Sequence, residues 1–225
     1  MSSLSQGTRL SSSDIAYHEL KRKIIELEYA PELHLVEEQL SAELEVSRTP
    51  LRQALYRLML EGLLIKQSNG RIHVAPITIQ EVEEVYKVRE VMEGLLAKEA
   101  TINMTAEKLQ KLDDLLVIMK LAADQNRNEH TVMYGSEFHA VLYSLSTNQT
   151  AKRFMVQLNG QIERYRRISG YKNPTYSPLV PVQEHEKILS LIRDGAAEKV
   201  EIEMRLHIRR SFDIAKETIE LYLKS

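Results

Sequence analysis

The stretch Val46-Ser-Arg-Thr-Pro-Leu-Arg-Gln-Ala-Leu-Tyr-Arg-Leu58, followed by Glu61-Gly-Leu-Leu64, restricts the fold of this chain more than any other. Leu51, Ala54, Leu55, Leu58 and Met59 recur at steps of three and four, so one face of a helix is built to be buried. Ser47 stands at the N-cap and Pro50 in the first turn, where the missing backbone N–H is not needed. Arg48, Thr49 and Arg52 stay on the leading edge, free to point outward. A helix N-terminus bearing arginines and hydroxyls suits phosphate groups and guanine edges. Taken alone, a surface helix with scattered arginines fits as well.

The flanking segments separate those two possibilities. Ile15 to Leu27 has the apolar period of one helix, and Val36 to Leu44 that of a second, joined to the arginine-bearing helix by Glu45-Val46-Ser47. Helix, tight turn, helix is the geometry that lays a recognition helix in the major groove of DNA. Beyond it, Leu63–Lys66 and Arg71–Val74 are strand-like runs around Gln67-Ser-Asn-Gly70, and Asn-Gly between such runs signals a hairpin. Three helices and a hairpin make a winged helix-turn-helix. Between Val46 and Val74 five basic residues stand against one acidic residue, Glu61, although the whole chain carries a net charge of −2. Positive charge gathered on one surface of such a chain suits a protein that leaves non-specific DNA easily.

The run from Ala42 to Leu64 resembles the signature of the GntR family of bacterial transcription regulators. Val-Ser-Arg-Thr-Pro, the second arginine and Glu-Gly-Leu fall at the family spacing, within a match covering residues 12 to 76. The resemblance implies that Ser47, Arg48, Thr49 and Arg52 contact DNA from the recognition helix. It also implies that Gly70 lets the wing backbone approach the minor groove, with Arg71 close by. Two departures alter the turn and the specificity more than the fold. Pro31 is followed by Glu32 where the family has Pro-Gly, and Glu38 occupies a position where some members carry a basic DNA contact.

At 225 residues and 43% hydrophobic content, the chain can bury a sizeable core in one or two domains. It has no cysteine, hence neither disulfides nor a thiolate metal site. Met1 to Ser13 lacks the apolar core of a signal peptide, and no apolar run nears the ~20 residues needed to span a bilayer. A cytoplasmic protein with no membrane partner is expected. Pro76-Ile-Thr78 marks a boundary between a DNA-binding domain, 1–76, and an all-helical domain, 77–225. Helical periods fall near 79–102, 105–124, 129–146, 148–170, 180–194 and 196–223, separated by polar breaks and by a long interruption with Gly170, Pro174, Pro178 and Pro181. The expected fold is mainly α: a winged helix-turn-helix followed by an antiparallel helical bundle.

Histidines form a second constellation. His139 shares a helix face with Leu142 and Tyr143, His185 with Ile188, Leu189 and Ile192, and His207 with Val200, Met204 and Ile214. All three point into the bundle from different helices. The helices of His185 and His207 meet at Asp194-Gly195, which at ~1.5 Å per residue leaves the two at similar heights. Converging neutral imidazoles can hold zinc or a similar divalent ion. Hydrogen-bonded core histidines account for the same pattern about as well.

Phe138-His139, Asn148, Glu184-His185-Glu-Lys-Ile188 and Met204-Arg-Leu-His207 resemble the FCD ligand-binding domain of the FadR subfamily, over about residues 79 to 222. Metal-containing members add a helical aspartate one turn before the first histidine. Gly135 stands there in this chain, so a three-histidine site with open positions is what remains. Arg89 matches a family arginine that looks into the pocket, where its guanidinium would fork onto a carboxylate; a surface salt bridge with Glu93 is the competing role. Tyr134, Tyr165 and Arg166 are further candidates for effector contact.

The expected function is that of a DNA-binding regulator, a repressor acting as a homodimer on a double-stranded operator. Its effector would be a small carboxylate metabolite, held directly or through a divalent metal such as zinc, and it would not be an enzyme. The rivals are a metal-dependent hydrolase that uses the three histidines with Glu184 or Glu137 as base, and a metal-free regulator whose histidines are packing residues.

Overall fold

Ser11 Oγ accepts the backbone N–H of Asp14 at 3.1 Å, so α1 (Ser12–Ile25) begins three residues ahead of the expected Ile15. The helix also ends early, because Leu27 turns into the left-handed region at φ 60°. This computed structural model describes residues 10–171 and 176–224, and the chain divides into two compact units, Met1–Pro76 and Ile77–Ser225. Residues 1–9 of the serine-rich opening, and Pro174, lie outside the described residues.

In the first unit α2 (Glu37–Glu43) and α3 (Arg48–Leu60) are joined by a turn in which Glu45 has φ 53°. Ser41 Oγ donates to the Val46 carbonyl at 2.5 Å and ties that turn to the end of α2. Three short strands follow the order β1-β3-β2, with β1 at His34–Leu35, β2 at Leu64–Lys66 and β3 at Ile72–Val74. The expected hairpin pairs Leu64 with Val74 and Lys66 with Ile72. Its tip is closed by Gly70 N–H on the Gln67 carbonyl at 2.8 Å, with Gly70 at φ 82°, a conformation glycine adopts without steric cost. Strand β1 was not among the expected elements, since two residues carry no visible alternation. Leu20, Ile24, Leu51, Leu55, Leu58, Leu63 and Val74 are wholly or almost wholly buried in one apolar core beneath α3 and the sheet.

The second unit is helical throughout its described residues: α4 (Ile79–Ile102), α5 (Ala106–Asp124), α6 (Asn128–Leu145), α7 (Gln149–Tyr171), α8 (Leu179–Arg193) and α9 (Ala197–Tyr222). Thr78 and Thr105 cap α4 and α5 through their hydroxyls at 3.2 Å. Glu99 reaches across from α4 to the start of α7, accepting from Ser146 Oγ at 2.6 Å and from the Thr147 and Asn148 N–H groups. A carboxylate at that helix N-terminus also meets the favourable end of its dipole. Pro181 lies inside the first turn of α8 rather than before it, where proline is tolerated. Gly195, at φ 65°, turns the chain between α8 and α9. Helix α4 packs most extensively on α9, α6 packs on α4 and α5, and α8 on α5 and α9, so α4, α6, α8 and α9 enclose a common interior.

Candidate functional site

The first unit presents its polar residues on α3 and the wing. Ser47, Arg48, Thr49 and Arg52 are exposed at the start of α3, and Gly70 and Arg71 at the hairpin tip. Ser47 occupies the N-cap position, but its side chain makes no capping hydrogen bond, contrary to what the sequence suggested. The Thr78 and Thr105 caps show that bond when it forms; here the hydroxyl is left toward solvent. Arg52 lies outward, with its Nε 2.8 Å from Glu37 Oε2 on α2. Arg57, by contrast, turns to α1, meeting Asp14 at 2.7 Å and stacking 3.7 Å above the Tyr17 ring. Part of the local basic excess is therefore structural, and Arg48, Arg52, Lys66 and Arg71 carry the outward charge.

The second unit brings the three histidines together. His139 on α6, His185 on α8 and His207 on α9 are all buried, with ring centroids 4.7–5.3 Å apart. One nitrogen from each ring lies within 4.8 Å of the others. Tetrahedral zinc ligands at ~2.0–2.1 Å would stand about 3.3 Å apart, so the separations between the ring nitrogens would shorten by up to about 1.5 Å around an ion.

Each ring is oriented from behind through Nδ1. His185 Nδ1 donates to the Pro181 carbonyl at 2.6 Å, His207 Nδ1 meets Glu184 Oε2, and His139 Nδ1 meets Glu93 Oε2. The Pro181 carbonyl only accepts, so His185 Nδ1 carries the proton and its Nε2 keeps the lone pair, and an ionised Glu184 or Glu93 favours the same tautomer of His207 and His139. His185 Nε2 is buried with no hydrogen-bond partner among the described residues. Carboxylate–histidine pairs of this kind set the tautomer of metal-binding imidazoles and raise their basicity. Glu93 and Glu184 stand on the far side of the rings, in the position of supports rather than ligands.

Burial holds all three imidazoles neutral. The pKa of His185 lies well below the usual value because of burial, with His207 and His139 adding to it. Burial likewise pushes His207 well down, and pushes His139 down against the opposing pull of Glu93. Burial would raise Glu93, but His139 and Arg89 more than offset it and keep the carboxyl well below its ordinary range. Glu184 is pushed up to about 7 by burial, partly countered by Arg210.

The remaining candidates part company here. Arg89 does form the i, i+4 pair with Glu93, Nε to Oε1 at 2.6 Å, but in the interior, each side chain 1% exposed. A surface salt bridge is thus the wrong description of it. Arg89 does not line the cavity beside the histidines; it braces the glutamate behind His139. Arg166 does line that cavity, a space of about 70 Å³ bordered by Gly135, Ser136 and the three histidines. Its Nη1 donates to Ser136 Oγ at 2.7 Å and meets Glu163 at 2.8 Å. Tyr134 packs beside Met119 and Val182 and Tyr165 is buried near Glu81 and Arg164, both away from the cavity wall. Glu137 is exposed and Glu184 is engaged by His207 and Arg210.

Glu93, the Pro181 carbonyl and Ser136 did not emerge from sequence as parts of the site. The one available signal was the placement of Glu93 on the helical face of Arg89.

Comparison with known proteins agrees with the architecture. Residues 84–210 match the model of the FCD domain, and residues 12–74 that of bacterial regulatory proteins of the gntR family. The HTH-type transcriptional regulator YdhC of Bacillus subtilis is 25% identical over 206 residues, covering 91% of both chains. The Nta operon transcriptional regulator of Aminobacter aminovorans is 27% identical, over 85% of this chain and 88% of its own. The HTH-type transcriptional repressor RspR of Escherichia coli is 24% identical, over 86% and 84%. Among solved structures, McbR/YncC of E. coli superposes with a TM-score of 0.76 at 19% identity, covering 93% of this chain and 99% of that one. A GntR regulator from Rhodococcus sp. RHA1 gives 0.73 at 17% identity, over 92% and 98%.

Proposed function

From the membership of this chain in the GntR family of bacterial regulatory proteins, with an FCD domain in its second unit, we propose that it is a DNA-binding transcription regulator whose signal is a small anion received beside a divalent metal held by His139, His185 and His207. The observation that carries the metal is the shared orientation of three buried rings. His185 Nδ1 donates to the Pro181 carbonyl and leaves its buried Nε2 unpartnered among the described residues, while His207 Nδ1 and His139 Nδ1 lie against Glu184 and Glu93, which favours the same form of those two rings. Packing histidines need no such agreement. A bound zinc ion would supply a Lewis-acidic position for an oxygen of the effector.

In the first unit Ser47, Arg48, Thr49 and Arg52 would meet phosphates and base edges from the head of α3, while Gly70 and Arg71 would bring the wing tip to the backbone. Two copies would read a palindromic operator as a homodimer, since protein symmetry is mirrored in the site. Repression is the favoured outcome, in line with the name of the E. coli relative. The effector alters DNA binding only by the difference in its affinity for the operator-competent and -incompetent states.

The metal-free reading draws on Gly135, which offers no fourth ligand. A hydrolase is disfavoured because Glu184 is engaged by His207 and Arg210, and Glu137 is exposed. The test is metal analysis of the purified protein, joined to fluorescence-anisotropy titration of the DNA upstream of its own gene, with and without zinc and short organic acids. Bound zinc, operator binding and release by one acid are expected. A metal-free protein whose operator affinity ignores both zinc and His139→Ala would support packing histidines.

A further inference from the structure

The outer face of the small sheet in the first unit carries a separate pair of histidines. Along β3, Ile72 and Val74 are buried and His73 faces the other way; along β1, Leu35 is buried and His34 exposed. The two histidines are register partners across the antiparallel β1–β3 pair. The Val74 N–H donates to the Leu33 carbonyl at 2.9 Å, so the neighbouring His34–His73 position is of the non-hydrogen-bonded kind. Facing side chains stand closest at such positions. The ring centroids are 5.0 Å apart, with the planes tilted by 34°.

His73 is already set in the form a metal requires. Its Nδ1 lies 3.0 Å from the Glu32 carbonyl, which only accepts, so Nδ1 carries the proton. In the neutral ring Nε2 then holds the lone pair. That nitrogen is buried without a hydrogen-bond partner among the described residues. A backbone carbonyl behind one imidazole nitrogen is a common support for a metal-binding histidine. The exposed His34 ring can turn to admit an ion and present a nitrogen to it. Two imidazoles sharing one ion at ~2.0–2.1 Å, at angles between square-planar and tetrahedral, would place their centroids about 4.5–5.2 Å apart. The observed separation of 5.0 Å falls inside that interval. Strand β2 adds no third donor, since its residue opposite His73 is Ile65, and water or an anion would fill the other positions.

We propose that His34 and His73 form a two-histidine site for zinc, nickel or copper(II), divalent ions suited to imidazole nitrogen. An ion held there ties β1, only two residues long, to the central strand of the sheet. It thereby steadies the strand that leads back from the hairpin tip at Gly70. The site is independent of the three buried histidines of the second unit.

The test is site-resolved labelling of the untagged full-length protein, freed of metal by chelator dialysis. Diethyl pyrocarbonate is added with and without micromolar zinc, and each histidine-containing peptide is followed by mass spectrometry. Zinc should slow the modification of His34 at least threefold, while His18 and His130, also exposed, react at unchanged rates. His73→Gln should abolish that protection, because a single imidazole holds zinc too weakly at this concentration. In a parallel titration, His34→Gln should bind one equivalent of zinc fewer than the wild type, whatever the second unit binds. Unaltered His34 reactivity in zinc, protection that survives His73→Gln, or equal stoichiometry in His34→Gln would each overturn the proposal. The two rings would then be an aromatic cross-strand pair and nothing more.

Discussion

Every buried polar or charged side chain among the described residues, from Arg89 to Thr218, lies in the second unit, whereas the buried set of the first runs from Ala16 to Ile72 and Val74 without one. The first unit keeps Arg48, Arg52, Arg71, the Ser47 and Thr49 hydroxyls and Gly70 on the outside of an apolar core, with Tyr17, Lys21 and Glu61 joined in a half-buried polar cluster at its edge. The second unit builds its chemistry inside, at the cost of desolvating Arg89, Glu93 and three imidazoles. A surface that meets a polyanion works with solvated charges, each making a modest, nearly independent contribution. A pocket that selects one small ion works with desolvated groups that must all be satisfied together. Substitutions should therefore separate stability from function in the first unit and fuse them in the second.

The sharpest way to break that contrast is Glu93→Ala. It leaves the Arg89 guanidinium buried without a counter-charge and removes the support of His139. Breaking a buried pair by removing one partner costs about 3–5 kcal/mol, so a large drop in the urea midpoint of the second unit is expected. The double substitution Arg89→Met with Glu93→Leu should recover most of it, because no lone charge remains. A single variant as stable as the wild type would mean that water reaches Arg89, and the contrast between the units would lose its basis.

Arg52→Ala probes the other side. Operator binding, measured by fluorescence anisotropy at fixed salt, should weaken by about 1–3 kcal/mol if Arg52 makes a bidentate base contact. Thermal stability should move by no more than about 0.5 kcal/mol, since the side chain is exposed and its pairing with Glu37 is a surface one. Unchanged operator affinity in a folded variant would remove Arg52 from the reading surface.

The same contrast explains what was legible in sequence. On α3 the residues that matter are contiguous, so periodicity alone put Arg48, Thr49 and Arg52 outside and Leu51, Leu55 and Leu58 inside. Helical faces also sufficed to aim His139, His185 and His207 into the bundle. What lies behind the rings was out of reach, because Glu93 meets His139 only through the packing of α4 on α6. The Arg89–Glu93 pair was visible as i, i+4 spacing, but spacing carries no information about burial. Strand β1 was invisible for a different reason: its two residues gain a strand's identity only by pairing with Ile72 and His73.

The smallest expected effect concerns backbone rather than side chains. The described residues other than glycine with positive φ are Leu27, Glu32 and Glu45 in the first unit, and Asn126, a residue type that tolerates this region, in the second. Glu32 sits at φ 66°, where related regulators carry glycine by the resemblance noted above. Holding an L-residue with a Cβ there costs roughly 1–2 kcal/mol, and glycine returns part of that as unfolded-chain entropy. Both anchoring contacts at Glu32 are made by the backbone, its N–H donating to the Val74 carbonyl at 3.0 Å and its carbonyl meeting His73 Nδ1 at 3.0 Å. Neither needs the side chain, which is exposed. Glu32→Gly should therefore raise the stability of the first unit by about 0.5–1 kcal/mol in urea titration, with operator affinity unchanged. Loss of stability would place the turn's energy in the glutamate side chain instead. The first unit would then depend on a polar group for its fold, as the second does, and the division between them would be narrower than the burial pattern implies.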